Sequence, residues 1–125
     1  MICSDGGAYS PSRPDSTPHP RCYGTFPRAI GLYQRERHIT TLPEMIRKMT
    51  SLPATKLGLK NRGTLAPQMA ADLVVFDYAT IRDKATFENP HQFPVGISWV
   101  IVNGVPVVDG GKQTAALPGE VLRRT

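Results

Sequence analysis

Asn103-Gly104 constrains this chain more than any other pair of residues. It joins two apolar runs, residues 99–102 and 105–108. A two-residue type I′ turn needs positive φ at both central positions, and Asn-Gly meets that need best. The spacing therefore predicts a hairpin, with strands over Ile97–Val102 and 105–108. A further strand is predicted over Leu73–Phe76, inside Ala71-Asp72-Leu73-Val74-Val75-Phe76-Asp77, a run of β-formers bounded by acids. Pro106 cannot donate to a ladder, which predicts an edge position for the last strand. Residues 78–94, broken by Pro90 and Pro94, read as a connection, and Asp109-Gly110-Gly111-Lys112 as another turn.

Upstream of Gly63 the period is helical. Thr41-Leu42-Pro43-Glu44 has the form of a capping box, with Thr at the N-cap and Glu three residues on. Leu42, Met45, Ile46 and Met49 follow at i, i+3, i+4 and i+7 and form one apolar stripe, read as core packing. Ser51-Leu52-Pro53-Ala54 opens a short further helix closed by Gly58. An earlier helix is expected to start at Thr25, with Pro27 in its first turn and Ile30 and Leu32 or Tyr33 facing inward, and to end near residues 35–37. Residues 1–4 read as a strand that stops at Asp5-Gly6-Gly7. Residues 6–25 form a long Pro/Ser/Gly-rich loop without a hydrophobic period, a kind that is usually functional or disordered.

Composition excludes several classes. The formal charge is +5, but the basic residues are scattered from Arg13 to Arg124 and no aromatics interleave with them. Nucleic-acid binding needs a concentrated basic face. No apolar run is long enough for a transmembrane helix, and the N-terminus has neither the basic nor the apolar region of a signal peptide. The expected location is cytoplasmic, with the thiols of Cys3 and Cys22 reduced. Cys3 is expected to be buried and Cys22 to lie in the loop. His19-x-x-Cys22 has a ligand-pair spacing, but a structural zinc site takes four ligands.

A few residues could carry chemistry. Asp5 before Gly-Gly reads first as the cap of a turn and only second as a catalytic carboxylate. Arg21, with His19, lies in the long loop after Asp5. It could hold a carboxylate bidentately, pair with Asp15, or only solvate the loop. Asp72 and Asp77 bracket a strand and read as strand-end caps before they read as an acid–base pair. Trp99 is expected to be buried in the β-unit.

Several segments occur in a familiar order: Ser4-Asp5-Gly6, His19-Pro20-Arg21, Tyr23-Gly24-Thr25-Phe26-Pro27-Arg28, Arg47-Lys48-Met49-Thr50-Ser51-Leu52-Pro53-Ala54, Leu57-Gly58-Leu59, Arg62-Gly63, Ala71–Asp77 and Val102-Asn103-Gly104. The series resembles the C-terminal part of the D-aminoacylase (N-acyl-D-amino-acid deacylase) family of the amidohydrolase superfamily. The resemblance implies a mixed α/β and β fold. Residues 1–62 would be the C-terminal end of a metal-dependent (β/α)8 hydrolase barrel (a TIM barrel). Residues 63–125 would be the C-terminal strands of a small β-sandwich domain, so that the fold is incomplete. It implies hydrolysis of the amide of N-acyl-D-amino acids, with zinc in the complete enzyme and none held by this chain alone. Barrel enzymes place catalytic groups at the C-terminal ends of strands. Asp5 would there be the catalytic acid–base group and a candidate metal ligand, the other ligands lying outside this chain. His19 and Arg21 would bind the N-acyl amino acid. Two turn positions depart from the family pattern: Gln68 stands where Gly is common, and Tyr78 where Pro often follows the Asp.

Two other readings use the same residues. One is another amidohydrolase of the same superfamily acting on a different amide or a cyclic amide, which the β motifs alone would allow. The other is a non-catalytic β-rich binding or assembly module, which the missing metal ligands would suit. The isolated chain is expected to lack deacylase activity and to self-associate through unpartnered apolar faces.

Overall fold

The computed structural model describes residues 1–9 and 16–123. Within them the order is helix α1 (Arg21–Arg28), a π-helical stretch (Ala29–Glu36), α2 (Leu42–Met49), α3 (Ser51–Leu57), then strands β1 (Leu73–Phe76), β2 (Ile97–Val102), β3 (Val105–Asp109) and β4 (Lys112–Gln113). The strands form one antiparallel sheet in the order β1-β2-β3-β4. Val102 stands opposite Val105 across the Asn103-Gly104 turn. Both turn residues have positive φ, +48° and +79°, as a type I′ turn requires.

The first helix begins earlier than expected. It starts at Arg21 behind Pro20, and Thr25 lies inside it, its hydroxyl donating to the Arg21 carbonyl four residues back. Pro20 already sits in the helical region at φ −50° and serves as the start, so the Thr25 cap signal is overridden. Past Pro27 the helix widens. The Arg37 N–H donates to the Leu32 carbonyl, five residues back, at 3.0 Å. The helix ends at His38, whose φ of +52° breaks the right-handed path.

Helix α2 starts as expected. Thr41 is the extended N-cap and its hydroxyl accepts from the Glu44 N–H. The reciprocal half of the box is replaced, because Arg47 takes both Glu44 carboxylate oxygens at 2.7 and 2.9 Å. Helix α3 closes in a Schellman motif at Gly58 (φ +75°), with Leu59 N–H reaching the Ala54 carbonyl at 2.9 Å.

The core is Ala29, Ile30, Met45 and Ile81, with Ile2, Leu42, Ile46, Met49, Phe76 and Ile97 packed on it. The α2 stripe thus does what its period predicts. Ile81, buried at 2% exposure, comes from the connection after β1, so one core joins the helical half to the β half. Two glycines admit that connection: a Cβ at Gly31 would lie 2.6 Å from the Ile81 carbonyl oxygen, and one at Gly96 (φ +80°) 2.5 Å from the Ile81 nitrogen. Arg35 fixes it, donating to the carbonyls of Tyr78 (2.7 Å) and Ile81 (2.9 Å).

Five further expectations are corrected. Residues 1–4 form no strand, although Ile2 N–H donates to the Lys48 carbonyl at 2.9 Å and its side chain reaches the core. Cys3 is exposed, and Cys22 lies in α1. Trp99 is 37% exposed, and its cross-strand partner Val75 is exposed with it. β3 is not the edge: β4 pairs with Val108 and Asp109, and Pro106 sits beyond that pairing.

Asp72 and Asp77 act at the strand ends. Asp77 accepts from the Ala79 N–H (2.9 Å) and the Thr80 hydroxyl (2.7 Å), which turns the chain after β1. Asp72 accepts from the Asn103 N–H at 2.8 Å and pairs with Arg62. Arg62, whose side chain is 9% exposed, also donates to the Asn103 side-chain carbonyl (2.7 Å) and to Glu120. Asn103 in turn donates to the Pro118 carbonyl at 2.8 Å. The Arg62 guanidinium therefore docks the β hairpin and the C-terminal segment onto the end of the helical half.

These bonds set an acid limit on stability. Burial pushes the Asp72 carboxyl up, but the Asn103 N–H and the Arg62 guanidinium outweigh it and hold the group below its ordinary range. The Thr80 hydroxyl, with the Ala79 N–H, lowers Asp77. A carboxyl lowered in the folded state contributes stability that is complete above the unfolded value of about 4 and is lost as pH falls through the folded one. The urea midpoint should therefore hold between pH 6 and 5 and fall at pH 3. Asp72→Asn should flatten that fall; a midpoint indifferent to acid would contradict the assignment.

Gln68 is exposed and left-handed, φ +68°, a conformation that Gly adopts without strain. The left-handed region costs an L-residue about 1–2 kcal/mol, and Gly returns part of that gain as unfolded-chain entropy. Gln68→Gly should raise stability by about 0.5–1 kcal/mol and Gln68→Val should lower it, both read from urea unfolding.

Val74, Val75, Trp99 and Val105 all leave substantial area exposed on the sheet strands. Val75 and Trp99 pair across β1 and β2 on one face of the sheet, and Val74 points to the other; exposed apolar area of this kind favours association. The 125-residue chain at high concentration should scatter light as a species heavier than its 13.7 kDa; a clean monomer would contradict this.

Candidate active-site segment

Asp5 leaves the core at Ile2 and enters the long loop in a left-handed conformation, φ +49°, which Asp tolerates better than most residues. Its carboxylate is 84% exposed and lies 3.2 Å from the Arg21 guanidinium. Arg21 Nε also donates to the Asp5 backbone carbonyl at 3.0 Å. The loop thus closes on itself: its first residue and the first residue of α1 meet. Gly6 permits the approach, since a Cβ there would stand 3.0 Å from the Cys22 Cα.

His19 prepares the start of the helix. Its Nδ1 accepts from the Arg21 N–H at 3.1 Å, and its carbonyl accepts from the Cys22 N–H at 3.0 Å. The ring packs edge-on against Phe87 with centroids 4.9 Å apart. One ring nitrogen is therefore spent on the backbone, while Nε2 carries the proton of the neutral ring.

The sequence expectation placed Asp5 at a strand end and His19 and Arg21 in the loop after it; Arg21 instead opens α1, where it contacts Asp5, with His19 beside them. The alternative partner for Arg21, Asp15, lies outside the described residues. Sequence reasoning missed the outer wall. Tyr23 on α1 hydrogen-bonds His91 at 3.0 Å and packs edge-on against Phe93. His91 and Phe93 come from the 78–96 connection, about seventy residues away, and no local pattern announces them. Burial, and then the nearby Cys22, pushes the Tyr23 phenol up, which keeps it a neutral hydroxyl donor.

Among the described residues, no three His, Cys, Asp or Glu side chains gather into a metal-binding group. Asp5 could offer one carboxylate ligand, with Arg21 on one of its oxygens. One ligand does not make a zinc site, so the remaining ligands would have to come from outside these residues. No described helix is long and apolar enough to cross a membrane.

This mixed fold, with an antiparallel sheet docked on helices and an exposed Asp at the mouth of a long loop, has relatives. The amidohydrolase family model matches residues 14–108, well over half of the chain, and the chain belongs to that family. It is 46% identical over 125 residues to the D-aminoacylase of Alcaligenes xylosoxydans xylosoxydans, covering all of this chain and 25% of that protein. It is 44% identical over 124 residues to the N-acyl-D-glutamate deacylase of the same organism, covering 99% of this chain and 24% of the relative. Among solved structures, a D-aminoacylase with a binuclear metal centre superimposes with a TM-score of 0.89 at 46% identity, over 99% of this chain and 25% of that one. The N-acyl-D-glutamate deacylase of Bordetella bronchiseptica, complexed with zinc and a phosphonate inhibitor, gives 0.77 at 42% identity, over 90% and 24%. The chain spans about a quarter of the length of the curated relatives it matches.

Proposed function

We propose that this chain works as the C-terminal quarter of a zinc-dependent amidohydrolase that cleaves N-acyl-D-amino acids to a D-amino acid and a carboxylic acid. The observation that carries the reading is the identity of 46% across all 125 residues to a D-aminoacylase. Two further relatives, an N-acyl-D-glutamate and an N-acyl-D-aspartate deacylase, are each 44% identical. All three are deacylases of N-acyl-D-amino acids, which favours that substrate class over a cyclic amide and over a non-catalytic module. In this reading residues 1–62 close the barrel and residues 63–125 complete the small β-domain.

Asp5 is the acid–base group. Its exposed carboxylate accepts a proton from the attacking water as the C–O bond forms at the amide carbon. It then delivers that proton to the amine as the C–N bond breaks, so the group ends as it began. Bound zinc would polarise the carbonyl and favour hydroxide near neutral pH; its other ligands lie outside this chain. Arg21 is the group for the substrate carboxylate, where its planar fork can make two parallel bonds, and His19 holds the Arg21 backbone in place. Since Arg21 rests on Asp5 here, substrate carboxylate would take over the guanidinium and free the base. Activity of the complete enzyme should be lost to a strong chelator and restored by zinc. Full turnover in the demetallated protein would overturn the reading.

A further inference from the structure

His91 has both ring nitrogens engaged, and on different parts of the chain. Nε2 lies 2.8 Å from the Ser16 carbonyl oxygen, and Nδ1 lies 3.0 Å from the Tyr23 hydroxyl. The Ser16 carbonyl can only accept, so Nε2 carries the ring proton. In the neutral ring Nδ1 then accepts, and the Tyr23 hydroxyl donates. One tautomer satisfies both contacts. Tyr23 is kept a neutral phenol by its surroundings, and the two rings pack edge-on with centroids 5.8 Å apart. Ser16 precedes Arg21 on the returning limb of the loop, and Tyr23 follows it in the first turn of α1, so the two anchor points bracket Arg21.

We propose that His91 is a positioning residue: by pinning Ser16 and Tyr23 from the 78–96 connection, it holds Arg21 in register with Asp5 and so sets the site for the substrate carboxylate. The proposal rests on the reading of Arg21 as the carboxylate-binding group. It gives the β half of the chain a part in substrate binding, reached through hydrogen bonds and not through contact with substrate. Phe87 adds to the brace from the same connection, edge-on against His19.

Binding made equally in ground and transition states raises KM when lost and leaves kcat alone. In the complete enzyme, His91→Ala should raise KM for N-acetyl-D-amino acids about tenfold, the scale of one or two lost hydrogen bonds, with kcat within about twofold. His91→Gln, which can still donate to Ser16, should recover much of that loss. Tyr23→Phe, which removes one hydroxyl without changing the packing, should raise KM about threefold. A merely structural role would lower the active fraction and move kcat at constant KM, and that result would overturn the proposal. Amide hydrogen exchange over residues 16–24 reads the pin without activity: it should quicken about tenfold in His91→Ala and return in His91→Gln. Unchanged exchange would also overturn the proposal. An inactive parent enzyme would instead sink the deacylase reading, and with it the substrate role, while faster exchange in His91→Ala would still show the brace.

Discussion

Asp5→Asn in the complete enzyme should reduce kcat by a factor of at least about 10²–10⁴, the range for removing a general acid–base group, while leaving the fold unchanged. The geometry makes the two effects separable. The side chain is 84% exposed, so no core contact is lost. The backbone is left-handed at φ +49°, and Asn tolerates that region as well as Asp does. An Asn side-chain oxygen can still accept from Arg21. What Asn cannot do is take a proton from water and return it to an amine. Circular dichroism and the urea midpoint should match the parent. Retained turnover would remove Asp5 from the mechanism.

Arg62→Ala should cost about 2–3 kcal/mol of stability, the scale of hydrogen bonds to a charged group whose partners are left unpaired. The guanidinium is nearly buried and serves Asp72, Asn103 and Glu120 together. Glu120 is 61% exposed and adds little by itself. Most of the loss should come through Asp72 and Asn103, the pair that fixes the hairpin. Trp99 is the only tryptophan of the chain and lies in β2, so its fluorescence reports the hairpin directly. Combined with Asp72→Asn, the two substitutions should cost clearly less than their sum, because each removes the same contact. A strictly additive pair would show that the clamp does not act as a unit.

The parts of the fold that were legible in the sequence were local. The Leu73–Phe76 and Ile97–Val102 strands follow from β-formers and turn residues, and α2 follows from Thr41 and the Leu42–Met49 stripe. The start of α1 was not legible because two local signals competed, and Pro20 prevailed over Thr25. Asn103 could be read as a turn residue, but its bonds to Arg62 and to the Pro118 carbonyl could not. Arg62 stood in a recognisable Arg-Gly pair, yet its partners lie 10 to 58 residues away. At the site the same division holds. Asp5, His19 and Arg21 stand close together in sequence and in one motif series, whereas Tyr23 and His91 meet across 68 residues of chain. Long-range contacts leave no periodic trace, so a sequence alone does not show them.

In the proposed function this chain supplies the acid–base carboxylate and the carboxylate-binding arginine of a deacylase selective for D-amino acids. The most direct measurement is amino acid release by the zinc-loaded complete enzyme from paired N-acetyl-D- and N-acetyl-L-amino acids of the same side chain. Release is expected from the D-substrate with little from its L-counterpart, and it should be lost in Asp5→Asn. Equal release from both enantiomers, or release from neither, would contradict the proposed function.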